Sequence, residues 1–154
     1  MLRDTTEKDL DTIINFIKKL AEYEKMSDEV IIDPKLMKEW LFEKKLCKCK
    51  FALDNDKPVG FALYFYNYST FKGKAGLYLE DLFVYPEYRN KGYGKELFKS
   101  LIQEAKENNL GRMEWCCLDW NEPSIRFYKS MNAKAMDEWT TYRLDESQFD
   151  SLLK

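Results

Sequence analysis

Two adjacent carboxylates, Glu80 and Asp81, interrupt an otherwise apolar run, Leu77-Tyr78-Leu79-Glu80-Asp81-Leu82-Phe83-Val84. Charge placed among strand-forming residues is costly to bury, so the interruption marks a place where acid–base chemistry can sit. Just beyond it, Arg89-Asn90-Lys91-Gly92-Tyr93-Gly94-Lys95 forms a basic, glycine-containing stretch, and Leu97, Phe98, Leu101, Ile102 and Ala105 then recur at helical spacing. Strand, glycine-containing loop and helix together let backbone amides and a helix N-terminus approach a phosphate or pyrophosphate. On these residues alone the loop reads more simply as a strand-to-helix turn, because it lacks both the Gly-Lys-Ser/Thr of a Walker A loop and the third glycine of GxGxxG. A third cluster, Asn121-Glu122-Pro123-Ser124, supplies an N-cap and a first-turn proline ahead of Phe127 and Tyr128. Taken by itself, Tyr128 is an amphipathic core residue beside Phe127.

Composition limits what these clusters can do. The chain has no histidine, which removes Ser-His-Asp and Cys-His catalysis and His-based zinc sites and leaves Asp, Glu, Tyr, Lys or Cys as acids and bases. Lys and Arg number 25 against 27 Asp and Glu, a formal charge of -2, so no basic footprint invites a nucleic acid. Cys47, Cys49, Cys116 and Cys117 show neither CxxC spacing nor the density of a disulfide scaffold; they read as reduced thiols in a cytoplasmic protein without a metal. Cys116-Cys117 is expected as small apolar filling in a buried strand, and Trp115 and Trp120 as core or interface residues. No apolar run approaches the roughly 18 residues of a membrane span, and the polar start Met1-Leu2-Arg3-Asp4 argues against export. At 154 residues, 45% of them hydrophobic, one domain over 1–154 is expected.

The elements that must position these groups follow from periodicity. Thr6 and Asp9 form a capping-box variant ahead of Leu10, Ile13, Ile14, Ile17, Leu20 and Ala21, predicting a helix over 6–24. Asp33-Pro34 starts a shorter helix that ends near Glu43 or Lys44. A hairpin turns at Asp54 to Pro58 between 48–53 and 59–68, and strands are predicted near 77–84, 112–118 and 139–144. Glycine at 111 closes the helix that begins after the basic loop. Strands alternating with helices after an early hairpin give a mixed α/β domain with helices packed on a largely central sheet. Glu80 and Asp81, being consecutive, are expected on opposite faces of their strand, so only one faces a given pocket, and Glu80 is the candidate.

The loop's Arg-x-x-Gly-x-Gly form resembles the GNAT N-acetyltransferases. Tyr78 to Arg89, Asp119 to Ser124, Phe127-Tyr128-Lys129 and Leu20 to Lys25 resemble in particular the diamine acetyltransferases, which act on spermidine and spermine, and their thialysine-acetylating branch. The resemblance implies a GNAT fold: a central, mixed, mostly antiparallel sheet splayed at an acetyl-CoA site and flanked by helices. It implies direct acetyl transfer from acetyl-CoA to a primary amine of a small cationic substrate, with a homodimer as the assembly. Cofactor contacts would come from Leu82, Phe83 and Val84 along the pantetheine arm, from Arg89, Asn90, Lys91, Gly92, Tyr93, Gly94 and Lys95 at the pyrophosphate, and from Asn121, Glu122, Pro123 and Ser124. Tyr23, Glu24 and Glu80 would hold the acceptor, Glu80 would help deprotonate it, and Tyr128 would protonate the departing thiolate. The polyamine-specific members carry aspartate where this chain has Ser69 and tryptophan where it has Phe71, so a small diamine or lysine-like amine ranks above spermine. Two other readings stay open: an acetyltransferase of protein amines, and a non-catalytic acyl-CoA binding module.

Overall fold

Asn55 and Asp56 both adopt positive φ, 48° and 65°, which is the geometry of a two-residue hairpin turn whose twist matches its strands. They join β2 (Lys48–Asp54) to β3 (Lys57–Ser69), and β3 continues through a second turn into β4 (Lys74–Val84). The computed structural model describes residues 1–154, which fall into two compact units, Met1–Cys116 and Cys117–Lys154. The first unit holds a five-stranded sheet in the order β1-β2-β3-β4-β5, with β1 at Leu2–Asp4 and β5 at Met113–Trp115. All neighbours are antiparallel except β4 and β5, which run parallel, so the mixed, mostly antiparallel sheet is realised.

Helices cover both faces of this sheet. The first expected helix splits into a 3-10 turn at Glu7–Asp9 and α1 (Leu10–Tyr23), which buries Ile13, Ile14 and Phe16. The Phe16 ring stacks 5.0 Å from Phe61 and 4.7 Å from Tyr85, centroid to centroid, on a face shared with Phe51, Leu63, Phe83 and Cys49. Asp33 caps α2 (Pro34–Lys38), its side chain accepting from Lys35 N–H, and a π-helical turn over Glu39–Glu43 ends where the sequence suggests. On the opposite face lies α3 (Tyr93–Glu107), which buries Leu97, Phe98 and Leu101. Because side chains alternate along a strand, Leu63 joins the α1 face while Tyr64 turns to α3. There the Tyr64 hydroxyl donates to Glu104 at 2.6 Å, joined by Tyr66 at 2.7 Å and the Lys48 ammonium at 2.7 Å.

The second unit contains α4 (Glu122–Ser130) and a short α5 (Phe149–Leu152). Here two expectations are corrected. Residues 139–144 form no strand, although their pattern is strand-like; Trp139 is 72% and Tyr142 92% exposed. A strand pattern forms a strand only against a hydrogen-bonding partner with an apolar surface to cover, and none pairs with this segment. Likewise the strand expected at 112–118 stops at Trp115, so Cys116 and Cys117 lie beyond it; Cys116 is exposed rather than buried filling. All four cysteines are free thiols.

Candidate active site

The site is built around an irregularity in β4. Along the β3–β4 ladder Tyr64 opposes Leu79 while Leu63 opposes Asp81, so Glu80 is an extra residue, a β-bulge. Residues directly opposite each other share a face, so Leu79 lies with Tyr64 on the α3 side and Asp81 lies with Leu63 on the α1 side. Glu80 has no partner in the ladder, but its charge acts on Asp81, on Tyr78 and on Cys47, which packs against the α1-side core, so Glu80 lies on the α1 side as well. Two consecutive carboxylates therefore occupy the same face, and the expectation that they point apart is overturned by the one inserted residue.

Their electrostatics agree with this placement. Burial pushes the Asp81 carboxyl up to about 7, and the neighbouring charges of Glu80 and Glu24 push the same way. The Glu24 carboxyl at the end of α1 is raised by burial. The thiols of Cys49 in β2 and of Cys47 just ahead of it are raised by burial as well, Cys47 further by Glu80 and Cys49 further by Asp81, so neither supplies a thiolate at neutral pH. Glu80 itself is exposed. Glu24 and Glu80, named from the sequence, thus converge with Asp81, which sequence reasoning left aside because simple alternation sent it to the other face.

Tyr23 closes the end of α1 beside this group. The Arg89 guanidinium carbon lies 4.8 Å over the Tyr23 ring and 5.3 Å over the Phe83 ring, while Arg89 Nε donates to the Val84 carbonyl at 2.9 Å. Arg89, expected as a ligand contact, thereby braces the end of β4 against the end of α1. Ser69 is buried, and its Oγ accepts from Lys72 N–H at 3.3 Å to close the β3–β4 turn, whereas Phe71 is fully displayed to solvent.

On its other side β4 has a strand partner over only part of its length. Pairing with β5 covers only Leu77, Tyr78 and Leu79, so the strands separate beyond Trp115 and the edge of β4 from Glu80 to Val84 has no strand beside it. An unpaired edge offers its amides and carbonyls to an extended ligand as a further strand would. That edge leads toward the basic loop, where Asn90 (φ 61°) and Gly92 (φ 93°) adopt left-handed backbone and set up the N-terminus of α3. The first α3 bond runs from Glu96 N–H to the Gly92 carbonyl at 2.9 Å, so the amides of Tyr93, Gly94 and Lys95 are first-turn donors without an acceptor in the helix. A side chain at Gly92 would meet nothing within 4 Å, which leaves room for a ligand against the backbone. These residues suit a phosphorylated ligand with an extended arm. Gly92→Ala keeps the space but strains the left-handed turn; its expected result is a rise of about tenfold in the KM for that ligand with kcat within a few-fold, read from initial rates.

In the second unit, Asn121 accepts from Ser124 N–H at 3.4 Å as the N-cap of α4, with Pro123 in the first turn as expected. Tyr128 sits half-buried on α4 with its ring 5.6 Å from that of Phe127.

Comparison with known proteins extends this geometry. The model of the acetyltransferase (GNAT) family matches residues 12–133. A thialysine N-epsilon-acetyltransferase of Bos taurus is 34% identical over 157 residues, spanning 94% of this chain and 92% of that protein. An L-ornithine N5-acetyltransferase of Arabidopsis thaliana is 44% identical over 91 residues, 58% of this chain and 40% of that protein. Among solved structures, an integron cassette protein from the mobile metagenome of V. cholerae superposes with a TM-score of 0.81 at 28% identity, covering 100% of this chain and 97% of that one.

Proposed function

Since the chain belongs to the GNAT acetyltransferase family, we propose that it transfers the acetyl group of acetyl-CoA to the primary amine of a small cationic substrate, a diamine or a lysine-like amino acid. The observation that carries the substrate class is the convergence of Glu24, Glu80 and Asp81 on one face of the bulged strand. A cluster of carboxylates lowers the potential where an ammonium would dock and then offers it a proton acceptor. Acetyl-CoA supplies an acyl group activated as a thioester. The open edge of β4 at Leu82, Phe83 and Val84, the loop from Arg89 to Lys95 and the turn from Asn121 to Ser124 are the residues assigned to hold it.

An alkyl ammonium with a pKa near ~10 is almost wholly protonated at neutral pH and has no lone pair to attack with. Glu80 is assigned to draw off that proton, Tyr23 and Glu24 to orient the amine, and Tyr128 to protonate the leaving sulfur. The substitution of Ser69 for an acidic residue favours a compact amine, because the second ammonium of a long polyamine would lack a partner there. Named activities of relatives at 34% identity and at 44% over part of the chain, thialysine and ornithine acetylation, lie in the same class. The single unit of catalysis is read as the whole of 1–154, in a cytoplasmic protein; the free cysteines support that compartment. A homodimer is supported by the large apolar side chains that the C-terminal segment leaves in water, Met136, Trp139, Tyr142 and Leu144 among them.

The test is acetyl-CoA-dependent thiol release with thialysine, lysine, ornithine, putrescine and spermidine, compared by kcat/KM. A lysine-like amine is expected to exceed spermidine by at least about tenfold, the scale of one lost ion-pairing partner. Preference for spermidine overturns the ranking, acetylation of protein lysines alone overturns the small-substrate reading, and CoA binding without any turnover leaves a binding module.

A further inference from the structure

Glu80 is the residue assigned above to draw off the substrate's proton, but it does not stand alone. The bulge brings Asp81 onto the same face, and Asp81 is the more enclosed of the two. Two carboxylates set side by side with a third at Glu24 cannot all carry full charge cheaply, and the ordinary resolution is a proton held by the group as a whole.

We propose that Asp81 is a second acid–base residue of the acceptor site, sharing with Glu80 the proton taken from the substrate ammonium. The inference rests on the acetyl-transfer reading above. Its support is geometric: an inserted residue turns an alternating pair into a same-face pair, next to the end of α1 that carries Tyr23 and Glu24. The groups around Asp81 fit the role. Glu80 on its own strand and Glu24 from α1 raise its affinity for a proton, as does burial. Cys49 on β2 and Cys47 just ahead of it stay neutral thiols. The Arg89 cation is engaged over the Tyr23 and Phe83 rings and with the Val84 carbonyl. A carboxyl that gains and loses its proton near neutrality is matched to taking one from a bound ammonium and releasing it after each turnover.

One N–H bond of the ammonium breaks, its electrons remain on nitrogen as the lone pair, and the proton passes to the Glu80–Asp81 pair. The nitrogen then forms the C–N bond as the thioester C–S bond breaks, and the sulfur departs with the electron pair and takes a proton from Tyr128. The second proton lost by nitrogen restores Tyr128, and the pair returns its own proton to solvent. The net reaction is ammonium plus thioester giving amide, thiol and one proton.

The pH dependence of kcat/KM for the amine tests this in the wild type, Asp81→Asn, Asp81→Glu and Glu80→Gln. Asn is isosteric with Asp and removes a buried charge, so the variant is expected to fold. With Asp81→Asn the remaining Glu80 loses its like-charged neighbour. The acidic limb is expected to move down by about one pH unit or more, while kcat at neutral pH falls about tenfold or more and the KM for acetyl-CoA is unchanged. Asp81→Glu is expected to return the limb toward neutrality. A purely structural role would lower the rate without moving the limb. A limb in Asp81→Asn that superimposes on the wild type overturns the inference and leaves acetyl transfer standing. A wild type that acetylates no amine overturns both.

Discussion

Tyr128→Phe is expected to lower kcat by about 10²- to 10⁴-fold, the usual contribution of a positioned proton donor, with little change in the KM for either substrate. The leaving group is a thiolate with an ordinary pKa near ~8.5, which departs readily into water but poorly into an enclosed site where the anion is unsolvated. A phenol removes that penalty by delivering its proton as the sulfur leaves. The substitution deletes one oxygen and keeps the ring against Phe127. The scaffold around it is independently anchored: Asn121 caps α4 through Ser124 N–H, and Pro123 pre-sets the first turn. Binding of CoA by calorimetry is therefore expected to match the wild type while turnover collapses. Turnover within about twofold of the wild type would remove Tyr128 from the chemistry and return it to the role of an amphipathic packing residue.

How much of this was legible in the sequence depends on whether the information is local. The β2–β3 hairpin is written in Asn55-Asp56, residues that tolerate the positive φ the turn demands, and α1, α3 and α4 are written in caps and in apolar spacing. Glu80, Glu24 and the basic loop could be singled out because charges and glycines in those contexts are conspicuous. The bulge could not. Nothing in Leu79-Glu80-Asp81-Leu82 announces an inserted residue, since the insertion is a relation between β4 and the partner residues Tyr64 and Leu63 on β3. Strict alternation without the bulge sends Asp81 to the face opposite Glu80 and leaves it the weaker candidate of the two. The converse failure lies at 139–144, where the local pattern is that of a strand and the partner is missing. Arg89 shows a third kind of gap: its type suggests a ligand contact, and only the fold adds a structural part for it, against Tyr23, Phe83 and the Val84 carbonyl.

Glu104 is the other residue that sequence reasoning passes over, as one acid in a charged helix, and its removal is expected to be strongly destabilising. It accepts from Tyr64, Tyr66 and Lys48 and pairs with Lys50 at 3.2 Å, tying α3 to β2 and β3. Burial by itself would raise its pKa, yet hydrogen bonds from Lys48, Tyr64, Tyr66 and Lys50 hold it down to about 2. Glu104→Ala would leave the Tyr64 hydroxyl, on a side chain 1% exposed, without its acceptor and two lysines without a counter-charge. The expected cost is about 3 kcal/mol, or a fall in Tm of roughly 6–12 °C for a chain of this size. Because the folded pKa lies below the ordinary value of 4.5, this stabilisation is fully present above that value and is lost as pH falls toward about 2. Acid titration of the unfolding free energy should therefore show a slope between those limits that Glu104→Gln flattens; an unchanged slope, or a Tm within about 2 °C, would show that the network contributes nothing net. Asp81 carries the opposite sign. Its folded pKa near 7 lies above the ordinary 3.8, so ionising it costs stability as pH rises through that interval. The fold gains from the charge on Glu104 and bears a cost for the charge on Asp81, which is the asymmetry that separates a scaffold carboxylate from one kept for proton transfer.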